Sequence, residues 1–177
     1  MNKRLFLNAI VRYFLGLILV GLLLFVPAGT LNYWNAWLFM GLLFIPMFIV
    51  GIILMIMNPK LLKSRLDVKE KEKTQKYVIL SSGIMFLSGF IIAGLNYRFS
   101  WIIMPKVIVI MASIIFLVSY ILYAEVLREN TYLSRTIKVQ DNQKVVDTGL
   151  YSIVRHPMYS ITLILFCTEP HFLDKKK

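Results

Sequence analysis

One short segment of this chain brings together residue types that can bind an anion. Arg155, His156 and Pro157 come directly before an apolar run that begins at Met158. Proline suits the first position of a helix, so this spacing predicts a helix that begins at Pro157. A helix N-terminus presents free backbone N–H groups and the positive end of the helix dipole, and Arg155 adds a full charge. The segment therefore predicts a site for a carboxylate or a phosphate.

Aromatic residues flank the same segment. Tyr151 and Tyr159 lie on either side of it and can stack on a flat or cationic group. Gly149 precedes them in a turn sequence, where it can take a positive φ at little cost. Together these residues indicate a site for a zwitterionic aromatic cofactor. From the residues alone a second interpretation stays open, in which the segment is only an interfacial anchor followed by the start of a helix.

Other kinds of site are disfavoured by composition. The chain has one cysteine, Cys167, and two histidines, His156 and His171, so it lacks the residues for a disulfide framework or a Cys-rich metal centre. We therefore predict no metal. The basic stretch 60–76 contains no aromatic residue on which a base could stack, so we also predict no nucleic-acid partner.

The elements that must position the segment are membrane helices. Of the 177 residues, 58% are hydrophobic and only 16% are charged, whereas a soluble domain is about a quarter charged. The apolar residues form runs of about 20, which is the length of a membrane span. We therefore predict an all-α, multi-pass integral membrane protein with the bilayer as a partner. Its four full spans are 5–26, 36–57, 77–95 and 107–127, and an incomplete fifth covers 158–167.

The positions of the basic residues predict the orientation of these spans. Segment 58–76 carries seven Lys and Arg residues, and more basic residues lie before the first span and after the fourth, whereas 27–35 carries none. By the positive-inside rule, the N-terminus and segment 128–177 are then cytoplasmic. The predicted organisation is a four-helix transmembrane region, 1–127, with a basic cytoplasmic loop, 58–76, followed by a cytoplasmic cofactor-motif segment, 128–177, that leads into the incomplete fifth helix.

The order Gly-x-Tyr-x-x-x-Arg-His-Pro-x-Tyr, from Gly149 to Tyr159, resembles the motif of the isoprenylcysteine carboxyl methyltransferase family, and phospholipid methyltransferases and sterol reductases carry related motifs. Upstream, Asn130-x-Tyr-Leu-Ser also fits bacterial members of the family. The sequences Asn35-Ala-Trp and Asn58-Pro fit them as well, so the resemblance covers most of the chain.

The resemblance implies methyl transfer from S-adenosylmethionine to a lipid-like or prenylcysteine carboxylate acceptor at the cytoplasmic face. It also implies roles for individual residues. A strip before Gly149 would run along the cofactor, Tyr151 would line its pocket, and the His-Pro-Met-Tyr run would hold its amino-acid end. Arg155 would support the turn or screen an anionic group. The implied cofactor-binding residues are Gln143, Lys144, Val145, Val146, Gly149, Tyr151, Arg155, His156, Pro157, Met158 and Tyr159.

No catalytic residue is nominated. The sulfonium of the cofactor already carries a good leaving group, so displacement by a carboxylate or an amine mainly needs proximity and orientation. Exclusion of water would help an anionic nucleophile. The sequence therefore predicts binding residues and no general base.

The chain departs from the family pattern after the fifth apolar run. Family members continue with a helical hairpin and a cytoplasmic stretch that contains an arginine and a Glu-Glu pair, and nothing here matches it, so we expect a C-terminally truncated member. Two other functional classes stay open. One is a non-catalytic membrane remnant, and the other is an NADPH-dependent enzyme of sterol-reductase type.

Overall fold

The computed structural model describes residues 3–66, 73–102, 105–130 and 146–172, and no strand occurs among them. The helices are α1 (Lys3–Ala28), α2 (Trp34–Met57), α3 (Pro59–Leu66), α4 (Lys73–Phe99), α5 (Lys106–Glu129), α6 (Leu150–Ile153) and α7 (Pro157–Phe172). The prediction of an all-α fold is confirmed.

Four of these helices, α1, α2, α4 and α5, are long and apolar enough to cross a membrane. They coincide with the four predicted spans, and each extends past at least one predicted end. Their outward surfaces are apolar: at the end of α2, Ile56 and Met57 are 73% and 79% exposed. In water such a surface would be an aggregation liability, whereas in a bilayer it faces lipid. The fifth apolar helix, α7, has 16 residues, about 24 Å, which is less than the thickness of the hydrocarbon core.

The core of the bundle is aromatic and centres on α2. Phe39 of α2 is fully buried, and its ring centroid lies 5.9 Å from that of Phe90 on α4 and 6.0 Å from that of Phe116 on α5. Near the start of α2, Tyr33 stacks on Tyr97 of α4 with 4.0 Å between ring centroids. Phe39 therefore joins three of the four long helices.

The long helices pair in an order that differs from their order in the chain. α1 packs more extensively against α4 than against α2, and α5 packs most extensively against α7. The α1–α4 contact is close because Gly94 has no side chain. A Cβ there would lie 2.6 Å from the backbone oxygen of Leu24 and 3.0 Å from Cβ of Pro27. Close backbone approach of this kind is how membrane helices gain packing energy.

α3 begins immediately after α2, at the end of the bundle where α1 starts. Asn58 closes α2 through its backbone N–H, which donates to Leu54 O at 2.9 Å. Its side-chain oxygen accepts from the Leu61 N–H at 3.1 Å, and Pro59 occupies the first helical position, a combination typical of helix starts. The predicted basic loop 58–76 thus contains α3 and the beginning of α4, while its central part, 67–72, lies outside the described residues.

Candidate functional site

The motif segment reverses direction at Gly149. Gly149 has a φ of 53° and a ψ of −125°, and the Tyr151 N–H donates to Thr148 O at 3.0 Å. This geometry is that of a type II′ turn, which needs a positive φ at its second residue. The short helix α6 follows, and Val154 returns to extended backbone at its end. The predicted turn is confirmed, and Gly149 takes the positive φ that glycine allows.

The end of α5 holds this turn in place. The Leu150 N–H donates to the Glu129 carboxylate at 3.2 Å, and the Asn130 side-chain amide donates to the Tyr151 hydroxyl at 2.9 Å. The Glu129 carboxylate lies so close to Gly149 that a Cβ at that position would collide with it. The last residue of α5, Glu129, and the residue that caps the helix, Asn130, therefore fix both the backbone and an aromatic side chain of the motif.

Helix α7 begins at Pro157, as the sequence predicts. The backbone oxygen of His156 accepts from Tyr159 N–H at 3.1 Å and from Ser160 N–H at 3.3 Å, which makes His156 the residue that caps the helix. Its imidazole is exposed and lies 5.7 Å from the Tyr159 ring between centroids. The imidazole, the Tyr159 ring and the first turn of α7 are thus adjacent and accessible.

The predicted site residues that the structure describes all lie within segment 146–159. Val146 and Tyr151 are half-buried, Pro157 is buried and Met158 is half-buried, while Arg155, like His156 and Tyr159, is exposed. Gln143, Lys144 and Val145 lie outside the described residues, so their predicted contact with the cofactor stays a prediction.

Two contributors to the site escape sequence reasoning. Glu129 is one of them. The other is Arg65 of α3, whose guanidinium donates to the Tyr123 hydroxyl and approaches the Met158 sulfur at 4.0 Å. In the sequence Arg65 cannot be distinguished from the other basic residues of segment 58–76. It differs from them because α3 packs beside α5 and α7, where Arg65 reaches Tyr123 and Met158. The one local signal for Glu129 is that it directly precedes Asn130, which belongs to the family resemblance.

A neighbouring pair of charges has a structural explanation. Glu125 and Arg128 form an ion pair within α5, with N–O distances of 2.5 and 2.9 Å. Residues three apart on a helix are neighbours on its surface, so a carboxylate and an arginine at this spacing can pair within the helix. Glu125 is therefore not needed to explain the site chemistry.

The donor set at the start of α7 fits a carboxylate-bearing, aromatic ligand. Arg155, His156 and Arg65 offer cationic or N–H donors, and Tyr151 and Tyr159 offer aromatic rings. Within the described part of the chain, no group of three or more His, Cys, Asp or Glu residues is placed to hold a metal ion. The arrangement suits binding of a small organic anion.

A separate open groove of about 640 Å³ lies between the second half of α1 and the first half of α2. Its lining is almost wholly apolar and includes Leu22, Phe25 and Trp37. Because α1 and α2 run in opposite directions, this groove is at the other end of the bundle from Arg155 to Tyr159. It is not the predicted cofactor site.

No protein-family model, curated protein or solved structure significantly matches this chain. The functional conclusion therefore depends on the motif residues and on how the bundle holds them.

Proposed function

We propose that the chain is a multi-pass integral membrane protein whose N-terminus and segment 128–177 are cytoplasmic. The four apolar helices support insertion in the bilayer. Basic residues support the orientation, because those of α3 and the start of α1 share the end of the bundle that holds the motif segment. The opposite end carries only Arg98 and Lys106, which agrees with the positive-inside rule.

We further propose that it is an S-adenosylmethionine-dependent methyltransferase of isoprenylcysteine carboxyl methyltransferase type. One observation carries this proposal: the motif from Gly149 to Tyr159 forms a pinned turn followed by an accessible helix start. Glu129 and Asn130 fix the turn, and His156 caps the helix. A motif that was only an interfacial anchor would not need hydrogen bonds from the end of α5 to its turn and to the Tyr151 side chain.

When bound, S-adenosylmethionine supplies an electrophilic methyl group. The residues of this chain bind and orient: His156, Met158 and Tyr159 receive the amino-acid end at the start of α7, and Tyr151, held by Asn130, forms part of the wall. Orientation of this kind can supply much of the acceleration of a displacement reaction. No general base is required.

The surface of α7 supports a lipid-like acceptor. Tyr159 and Leu163 are each 64% exposed, and with Phe166 they follow the helical spacing that places residues on one face. This apolar face runs from the motif along the bundle. An acceptor with a long apolar chain can lie along it while its carboxylate reaches the cytoplasmic end.

Equilibrium binding of S-adenosylmethionine to the detergent-purified chain tests the proposal. We expect saturable binding that His156→Ala weakens about tenfold, the scale of a lost hydrogen bond to a charged group. His171→Ala is the matched control, since it removes the other histidine of the chain. It should leave the affinity unchanged.

Transfer of a labelled methyl group in vesicles then tests catalysis. N-acetyl-S-farnesylcysteine and phospholipids are the acceptors to compare, and we expect label in the prenylated carboxylate. Absence of cofactor binding by helical, monodisperse protein would exclude the enzyme hypothesis for this chain. Binding displaced by NADPH would instead favour the reductase alternative.

A further inference from the structure

Helix α3 brings a cation to the motif from a distant part of the sequence. Asn58 caps its start at 3.1 Å, and Leu61 and Leu62 are buried against the bundle. The Arg12 guanidinium of α1 donates to Leu66 O at its end. Because α3 is held at both ends and along its inner face, the direction of the Arg65 side chain is set by the fold.

The described partners of Arg65 are all uncharged. Its guanidinium donates to the Tyr123 hydroxyl, lies 5.6 Å from the centroid of the Tyr123 ring and approaches the Met158 sulfur at 4.0 Å. In the ranges that the structure describes, the ion pair present is Glu125 with Arg128, and no carboxylate pairs with Arg65. A half-buried guanidinium has five N–H donors, and these partners, taken from the described residues, supply no opposite charge.

A bound anion at the start of α7 would compensate this charge. A guanidinium and a carboxylate are both planar and form paired hydrogen bonds. Under the proposed function, on which this inference rests, two carboxylate-bearing molecules bind beside the motif segment. S-adenosylmethionine carries one carboxylate, in its amino-acid end, and the acceptor carries the other.

We propose that Arg65 binds the carboxylate of the ligand held by the motif segment. That carboxylate belongs either to the cofactor, which is tested first, or to the acceptor. Tyr123 positions the guanidinium by accepting one of its N–H groups, and its ring centroid lies 5.6 Å from the guanidinium carbon. The remaining donors face the ligand.

A matched pair of ligands isolates the carboxylate. S-adenosylmethionine and decarboxylated S-adenosylmethionine share the adenosine, the sulfonium and the amine, and differ only in that group. Binding of each to the full chain in detergent is measured for the native protein, Arg65→Gln and Lys63→Gln. Lys63 is the matched control because it is an exposed cation on the same helix.

If the carboxylate belongs to the cofactor, Arg65→Gln weakens S-adenosylmethionine binding about tenfold and leaves the affinity for the decarboxylated ligand unchanged. Lys63→Gln alters neither affinity. If the carboxylate belongs to the acceptor, both cofactor forms bind to Arg65→Gln as they do to the native chain. Binding of N-acetyl-S-farnesylcysteine then weakens about tenfold, and binding of its carboxamide does not change.

Equal loss of both cofactor forms in Arg65→Gln would show a structural role and overturn the proposal. So would unchanged binding of every ligand, which would leave the methyltransferase proposal intact. Failure of the native chain to bind either cofactor form would overturn the proposed function itself, and the two failures are therefore distinguishable.

Discussion

At the scale of single residues, the site depends on a contact between Gly149 and Glu129. The φ of 53° at Gly149 is one that L side chains avoid, and the adjacent space is filled by the Glu129 carboxylate. The same carboxylate accepts the Leu150 N–H. Backbone conformation and hydrogen bonding are thus coupled at one point.

Gly149→Ala is expected to destabilise the chain through both effects. Strain at positive φ and the collision with Glu129 together should cost roughly 1–3 kcal/mol. Adding Glu129→Ala removes the collision but not the strain, so the double variant should cost less than the two single changes added together. Denaturant unfolding in detergent measures all three, and strictly additive costs would contradict the contact.

Local residue features were predictable and distant partnerships were not. Pro157 as a helix start, the turn at Gly149 and the Glu125–Arg128 pair each depend on residues within a few positions of one another. The Glu129–Leu150 bond joins residues 21 apart, and the Arg65–Met158 contact joins residues 93 apart. Contacts between such distant residues are determined by how the helices pack, and no short sequence pattern predicts that packing.

At the scale of elements, the α1–α4 contact shows how a small residue sets a helix spacing. Gly94 lies where the backbone of α1 leaves no room for a side chain, whereas a Cβ at Gly89 on the same helix would meet nothing within 4 Å. Both are glycines in an apolar helix. Only the environment distinguishes them.

Gly94→Ala should therefore force α1 and α4 apart. Overpacking of this kind costs roughly 1–3 kcal/mol, while Gly89→Ala should be neutral or slightly stabilising because alanine favours helix. Thermal unfolding of the two variants in the same detergent makes the comparison. Equal effects at both positions would contradict the close approach.

Asn58 offers a second test at this scale. Asn58→Ala removes the acceptor that caps α3 and should cost about 1 kcal/mol, whereas Asn58→Asp keeps an acceptor and should cost less. Because α3 carries Arg65, the alanine variant should also weaken S-adenosylmethionine binding. Hydrogen exchange of α3 and ligand titration measure the two effects, and an equally protected α3 in both variants would argue against the cap.

The existence of the four long helices followed from hydropathy, and their ends did not. The span predicted to end at 95 continues as α4 to Phe99, and the span predicted to begin at 77 begins at Lys73. Polar residues at a membrane surface can continue a helix because their side chains reach water. The apolar run therefore marks the part of each helix inside the bilayer, and the helix itself is longer.

At the scale of the whole molecule, charge and apolar surface together fix the proposed orientation. The net charge is +11, and the basic residues of α3 lie at the end of the bundle where α1 begins. The connection between α1 and α2, at the opposite end, contains no Lys or Arg. The bundle is therefore electrically asymmetric along its long axis.

Cysteine labelling tests this orientation. Cys167 is first replaced by alanine, and single cysteines are then placed at Lys63 and Thr30. In sealed cells an impermeant maleimide should label the Thr30→Cys variant and should label Lys63→Cys only after permeabilisation. The opposite labelling pattern would show that the topology is inverted and that the motif segment lies outside the cell.

The pairing of α1 with α4 also bears on how the chain is made. α1 ends at Ala28 and α4 ends at Phe99, so the ribosome must add α2, α3 and α4 before the principal partner of α1 exists. At about 5–20 residues per second this interval lasts several seconds. During that time the surface of α1 that will receive Gly94 has only lipid or the insertion machinery to cover it. α1 is thus complete before its principal partner is made, and until α4 is complete α2 is the long helix that can pack against it.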